Sequence, residues 1–231
     1  MYIQMKNQQE FRKILDEIEN SKGHKIDSAA YALEVSFKIM VANFGYLKKV
    51  LDVVPTFSVS QATEKHKYMV EVTRCFVNFL GSAGAFKDHT RRFIKKIYGS
   101  TEEALGGKYQ EKINEEFLND PLPQFIEALR NYYVHTELPP IGIETTFSQG
   151  DEKMKSDFVL FLNEIDTKDY PKAKSFIEKQ QKNTVSILEL AEKYVYKTMF
   201  PWIMKEQGEF HKDDFEELEN LKKKARDLIG L

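Results

Sequence analysis

The spacing of apolar residues constrains this chain most. Leu33, Phe37, Met40, Phe44, Leu47 and Leu51 follow one another at alternating steps of three and four. That is the repeat of an inward-facing helix seam. The same period covers most of the sequence. Phe11, Ile14, Leu15 and Ile18 make a stripe between about Gln8 and Asn20 that ends near Gly23, and Asp27-Ser28 is placed to cap the next helix. Pro55 ends that helix, because proline cannot continue the hydrogen-bond ladder. A second long helix runs from about Ala62 to Tyr98, with Val72, Phe76, Phe79, Ala83, Phe86, Phe93 and Ile97 on its stripe. Its middle reads Gly81-Ser82-Ala83-Gly84-Ala85. A glycine inside a helix costs about 1 kcal/mol relative to alanine. The patch therefore predicts a second helix packed closely against Gly81, Ser82 and Ala85.

Beyond Gly106-Gly107, a short helix is expected from Lys108 to Leu118. Asn119-Asp120-Pro121 has the form of a cap followed by a first-turn proline. The helix it opens places Leu122, Phe125, Ile126, Leu129 and Tyr133 on one face, and Pro139-Pro140 bars its continuation. The period then changes. Residues 141–147 and 157–162 are β-rich runs around Gly150-Asp151, which predicts a short hairpin inserted on a helical body. A helix resumes near Pro171 and carries Val185, Leu188, Ala191, Val195 and Met199 until Pro201 kinks or ends it. Asp213-Asp214 open a last amphipathic helix. No repeat or low-complexity linker divides the chain, so the expectation is a single, mainly all-α domain over residues 1–231.

Composition removes several functional classes. With 34 basic and 36 acidic residues the formal charge is -2, which excludes a globally basic nucleic-acid coat but leaves room for a local patch. The single cysteine, Cys75, excludes an internal disulfide framework and a thiolate metal cluster. Its apolar helical setting points to a structural thiol rather than a nucleophile. No apolar run approaches the roughly 20 residues needed to span a bilayer. The N-terminus lacks the pattern of a signal peptide. These features predict a cytoplasmic protein that does not enter membranes. The five histidines form no zinc or di-iron spacing, and neither a phosphate-binding loop nor a nucleophile-elbow motif is present. No metal and no cofactor are expected.

The most informative segment is Phe125 to His135. Asn131 and His135 lie four residues apart on one helix face, and Arg130 lies five from His135, about 140° round the axis. A long arginine still reaches a ligand lying across that face. Alternatively, Pro139-Pro140 loosens the last turn and swings His135 inward. Helix geometry alone favours a solvated polar face with an ordinary histidine. A second polar group runs from Asp88 and His89 to Arg92 and on to Lys95 and Lys96, and it puts four basic residues, Arg91, Arg92, Lys95 and Lys96, within six positions. It reads either as a solvated helix end or as a track for RNA phosphates. Asn78, Ser82, Ala85 and His89 recur on one side of the helix, so that side could line a site. Tyr133 is expected in the core, and Tyr132 is expected to help line the cleft.

Arg130, Asn131 and His135, an Arg-Asn-x-x-x-His pattern late in a small helical domain, resemble the signature of the HEPN superfamily. The resemblance covers about Ser28 to His135 and assigns no subfamily. It implies an antiparallel helical bundle with its body at 28–135, on which the β-hairpin read at 141–163 and the C-terminal helices at 171–231 are elaborations. It also implies a homodimer whose two motifs face each other across the axis. Active members are metal-independent endoribonucleases that use the RNA 2′-hydroxyl and leave a 2′,3′-cyclic phosphate. Inactive members bind nucleotides or protein partners. On this resemblance His135 is the general acid/base, Arg130 holds the scissile phosphate, and Asn131 orients one of them. Histidine exchanges protons near neutral pH and the arginine fork matches phosphate oxygens. His89, Arg91, Arg92, Lys95, Lys96 and Tyr132 would contact RNA. The implied role is a toxin or defence effector, with RNA or a nucleotide, a second copy, and a protein such as an antitoxin as partners.

Overall fold

The computed structural model describes residues 2–52, 62–117, 120–146, 155–166, 168 and 171–230. The protein is mainly α-helical, as its periodicity predicts. In chain order its elements are α1 (Tyr2–Asn20), α2 (Lys22–Asp52), α3 (Ala62–Tyr98), α4 (Lys108–Glu116), α5 (Pro121–His135), β1 (Ile141–Thr146), β2 (Lys155–Phe161), α6 (Pro171–Ile177), β3 (Thr184–Ser186), α7 (Ile187–Tyr196), α8 (Phe200–Phe210) and α9 (Lys212–Ile229). Pro55, Leu118, Asn119 and the Gly150-Asp151 turn lie outside the described residues. Among the described residues, no helix is long and apolar enough to cross a membrane.

The chain packs as two compact units. The first contains Met1–Val35, Thr90–Tyr109 and Met199–Leu231. Ile14, Ile26, Leu33, Phe93, Ile94, Ile203 and Leu218 are buried in it. Two expectations are corrected here. Gly23 does not end a helix, and Asp27-Ser28 does not cap one: both lie inside α2. The cap is Ser21, whose Oγ accepts the His24 N–H at 3.2 Å. Gly23 is instead a close-approach residue. A Cβ there would stand 2.3 Å from the Asp214 carbonyl oxygen and 3.0 Å from Leu218 Cβ, so only glycine lets α9 come this near. The helix that carries Leu188 and Ala191 does end before Pro201, at Tyr196. Pro201 opens the next helix. It sits in the first turn of α8, where its missing N–H has no helical partner to lose. Asp213 and Asp214 occupy the first turn of α9, as expected.

The second unit contains Ser36–His89 and Gln110–Thr198. Met40, Leu47, Phe76, Phe79, Leu80, Phe125, Leu129, Phe158 and Leu190 are buried in it. Cys75 is buried too, and desolvation pushes its thiol above the ordinary value, as a structural thiol requires. The expected hairpin is present: β1 and β2 pair antiparallel, with Ile141 opposite Leu160 and Thr146 opposite Lys155. It also carries a third strand. β3 pairs antiparallel with β2, placing Val185 opposite Leu160. Val185 therefore lies on a strand and not on a helix running on from Pro171. The helix is interrupted because Ser186 starts a new one, its Oγ accepting the Glu189 N–H at 3.4 Å. Ser186 and Glu189 have the spacing of a capping box.

Candidate functional site

The central element is α5. Asp120 caps it, accepting the Leu122 N–H at 2.9 Å, and Pro121 occupies the first turn. Leu122, Phe125, Ile126, Ala128, Leu129 and Tyr132 bury its inner face. Phe125 stacks on Phe176 of α6 with ring centroids 4.2 Å apart. This packing fixes the rotation of the helix. It leaves Arg130 and Asn131 half-buried and side by side, Arg130 Nη1 donating to Asn131 Oδ1 at 3.1 Å.

The glycines of α3 meet side chains of α5, not the closely packed helix backbone expected at Gly81, Ser82 and Ala85. A Cβ on Gly81 would lie 3.0 Å from the Tyr133 hydroxyl, and one on Gly84 would lie 3.3 Å from Arg130 Nε. Arg130 and Asn131 line a cavity of about 230 Å³ together with Gly84, Lys87 and Asp88 of α3, Glu127 of α5 and Tyr194 of α7. Lys87 and Glu127 form an ion pair at 2.5 Å. The wall thus carries two cations, Lys87 and Arg130, and two carboxylates, Asp88 and Glu127. Burial, aided by the charge of Glu127, pushes the Tyr194 phenol up to about 12, so it stays a neutral hydrogen-bond donor at physiological pH.

His135 does not join this group. It is the last residue of α5, it is exposed, and it is not among the residues lining the cavity. The last turn is closed and not loosened: the Thr136 N–H reaches the Tyr132 carbonyl at 2.8 Å. The tyrosines are exchanged relative to expectation. Tyr132 is 1% exposed, and its hydroxyl donates to Glu137 Oε1, so it cannot line a cleft in this conformation. Tyr133 is the half-buried one.

On α3 the lining residues are Gly84, Lys87 and Asp88, one step round from the expected face. Of that face, Asn78 is exposed and Ser82 is buried, donating to the Phe79 carbonyl at 2.9 Å. His89 is exposed, with Nδ1 2.8 Å from Ser36 Oγ. Arg91, Arg92, Lys95 and Lys96 are all exposed on the last turns of α3. They belong to the first unit, whereas Arg130 belongs to the second. Sequence reasoning missed Lys87, Glu127 and Tyr194, and read Asp88 only as the start of the polar cluster on α3. Only the glycines of α3 signalled a close neighbour there. Among the described residues, no group of three or more His, Cys, Asp or Glu side chains is arranged to hold a metal ion.

No family model matches the chain, and no curated protein and no solved structure matches it significantly.

Proposed function

We propose that the Arg130, Asn131 and His135 face of α5 makes this protein a HEPN-like, metal-independent endoribonuclease. The supporting observation is that Arg130 and Asn131 are joined at 3.1 Å on the wall of a cavity, with His135 accessible at the end of the same helix. In this reading the RNA 2′-hydroxyl attacks the adjacent phosphorus. The bond to the 5′-oxygen breaks, leaving a 2′,3′-cyclic phosphate and a 5′-hydroxyl. His135 moves the proton, and Arg130 neutralises charge on the phosphate oxygens. Intramolecular attack needs positioning more than an added nucleophile. The proposal includes a homodimer, RNA phosphates held along Arg91, Arg92, Lys95 and Lys96, and a cytoplasmic role as a toxin or defence effector with a partner such as an antitoxin.

One observation favours a second reading. His135 does not line the cavity that holds Arg130 and Asn131. A non-catalytic HEPN-like module that binds a nucleotide or a protein needs only the cavity. An RNA cleavage assay on wild type, Arg130→Ala and His135→Ala, run beside titration with labelled nucleotides, separates the two. Gel filtration with light scattering tests the dimer.

A further inference from the structure

The wall of the Arg130 cavity carries one carboxylate that the fold leaves open. Glu127 is paired with Lys87, and Arg130 is held by Asn131. Asp88 lines the same cavity, is exposed, and has no hydrogen-bond or ion-pair partner among the described residues. It lies one helical turn, about 6 Å along α3, beyond Gly84, the residue against which the Arg130 stem packs. An ionised carboxylate only accepts hydrogen bonds, whereas the Lys87 ammonium has three N–H donors, of which Glu127 needs one. Two neighbouring residues of one helix therefore offer the cavity a pair of acceptors and a donor. Its volume, about 230 Å³, is below the roughly 300 Å³ at which drug-sized sites begin, so it suits a single ring system. Ile126 and Tyr194 add apolar lining for such a ring.

We propose that this cavity reads guanine, with Asp88 setting the base preference. The inference rests on the ribonuclease reading above, which puts the scissile phosphate at Arg130. Among the four RNA bases, guanine alone places two N–H donors, at N1 and N2, side by side, where they match the two oxygens of a carboxylate. Its O6 acceptor stands next to them and suits an ammonium. Adenine and cytosine set an acceptor ring nitrogen beside their amino group, and uracil flanks its one N–H with two carbonyls. Each of these turns a lone pair against the Asp88 carboxylate. The phosphate at Arg130 is then the 3′-phosphate of the bound guanosine. Cleavage leaves guanosine 2′,3′-cyclic phosphate on one product and a 5′-hydroxyl on the other.

Two measurements on the full-length protein test this. Wild type and Asp88→Asn are titrated with the 3′-monophosphates of guanosine, inosine, adenosine and cytidine. Inosine differs from guanosine only by lacking the N2 amino group. In wild type the guanosine ligand should bind about tenfold tighter than each of the others, and in Asp88→Asn the gap should close to about twofold. Removing a negative charge strengthens all four phosphates alike, so the ratio isolates the base. Asp88 is exposed, so the variant should melt with wild type. Cut sites are then mapped on an RNA containing every dinucleotide step. Cuts should fall 3′ of guanosine in wild type, and that preference should be lost in Asp88→Asn. Guanosine-selective binding without cleavage removes the ribonuclease reading and supports the base reading. Cleavage without base preference, or a preference that Asp88→Asn leaves intact, overturns the base reading and leaves the ribonuclease standing. Equal affinity for the guanosine and inosine ligands also overturns the base reading. Neither binding nor cleavage overturns both.

Discussion

Gly84 of α3 gives Arg130 of α5 its place: a Cβ on Gly84 would meet Arg130 Nε at 3.3 Å and its Cγ and Cδ at 3.4 Å. The glycine is a seat for the arginine stem, from which the guanidinium reaches Asn131. The second unit thus ties a feature of one helix, its small-residue patch, to the functional candidate on another.

Gly84→Val should therefore displace the Arg130 guanidinium while the helix persists. If Arg130 serves the proposed chemistry, RNA cleavage falls about 10- to 100-fold, the effect of misplacing a catalytic group by about 1 Å. Circular dichroism should remain helical. An Arg130 side-chain Nε–H resonance that does not move in the variant would contradict the seat.

Gly23→Ala should lower stability. Alanine gains about 1 kcal/mol of helix propensity over glycine. The added Cβ, however, would stand 2.3 Å from the Asp214 carbonyl oxygen, a backbone atom that cannot swing aside. Overpacking of this kind costs about 1–3 kcal/mol. A chemical denaturation midpoint below that of wild type is the expected result.

Asp214 should make part of the stability pH-dependent. Burial raises its carboxyl, but hydrogen bonds from Lys22, at 2.9 Å, and from His211, at 2.8 Å, more than offset this and hold it below the usual aspartate range. A depressed folded-state value means that the contribution is present above the unfolded value, near 3.9, and is lost as pH falls through the folded one. Asp214→Asn should therefore melt lower than wild type at pH 7, by about 1 kcal/mol. That difference should shrink below about pH 4. Melting curves from pH 7 to pH 2 check it.

Tyr132→Phe should cost about 1 kcal/mol, the worth of one hydrogen bond to a solvent-accessible partner. The ring stays buried, and the bond from its hydroxyl to Glu137 is lost. For a chain of this size that is roughly 2–4 °C in Tm. An unchanged melting temperature would assign the bond no role.

Apolar period made the long helices legible. The predicted bounds of α3 are the observed ones because nothing between Ala62 and Tyr98 interrupts its stripe. The period misled at Val185, which also fits a helical stripe drawn through Leu188 and Ala191. The local signal that separates them is the Ser186 cap of α7. Gly23 misled because glycine serves both as a stop and as a contact, and only the nearness of α9 distinguishes the two. That Arg130 and Asn131 stand side by side was legible because they are adjacent in sequence on one helix. Tyr194 was not, since it reaches the same cavity from a helix more than sixty residues later.

The most direct test of the central claim is cleavage of single-stranded RNA by purified protein in excess EDTA. The account predicts cleavage that EDTA does not abolish, with products ending in 2′,3′-cyclic phosphate. His135→Ala and Arg130→Ala should each reduce the rate by about 100-fold or more with the fold intact. Full activity in His135→Ala, or activity that vanishes on chelation, would contradict it.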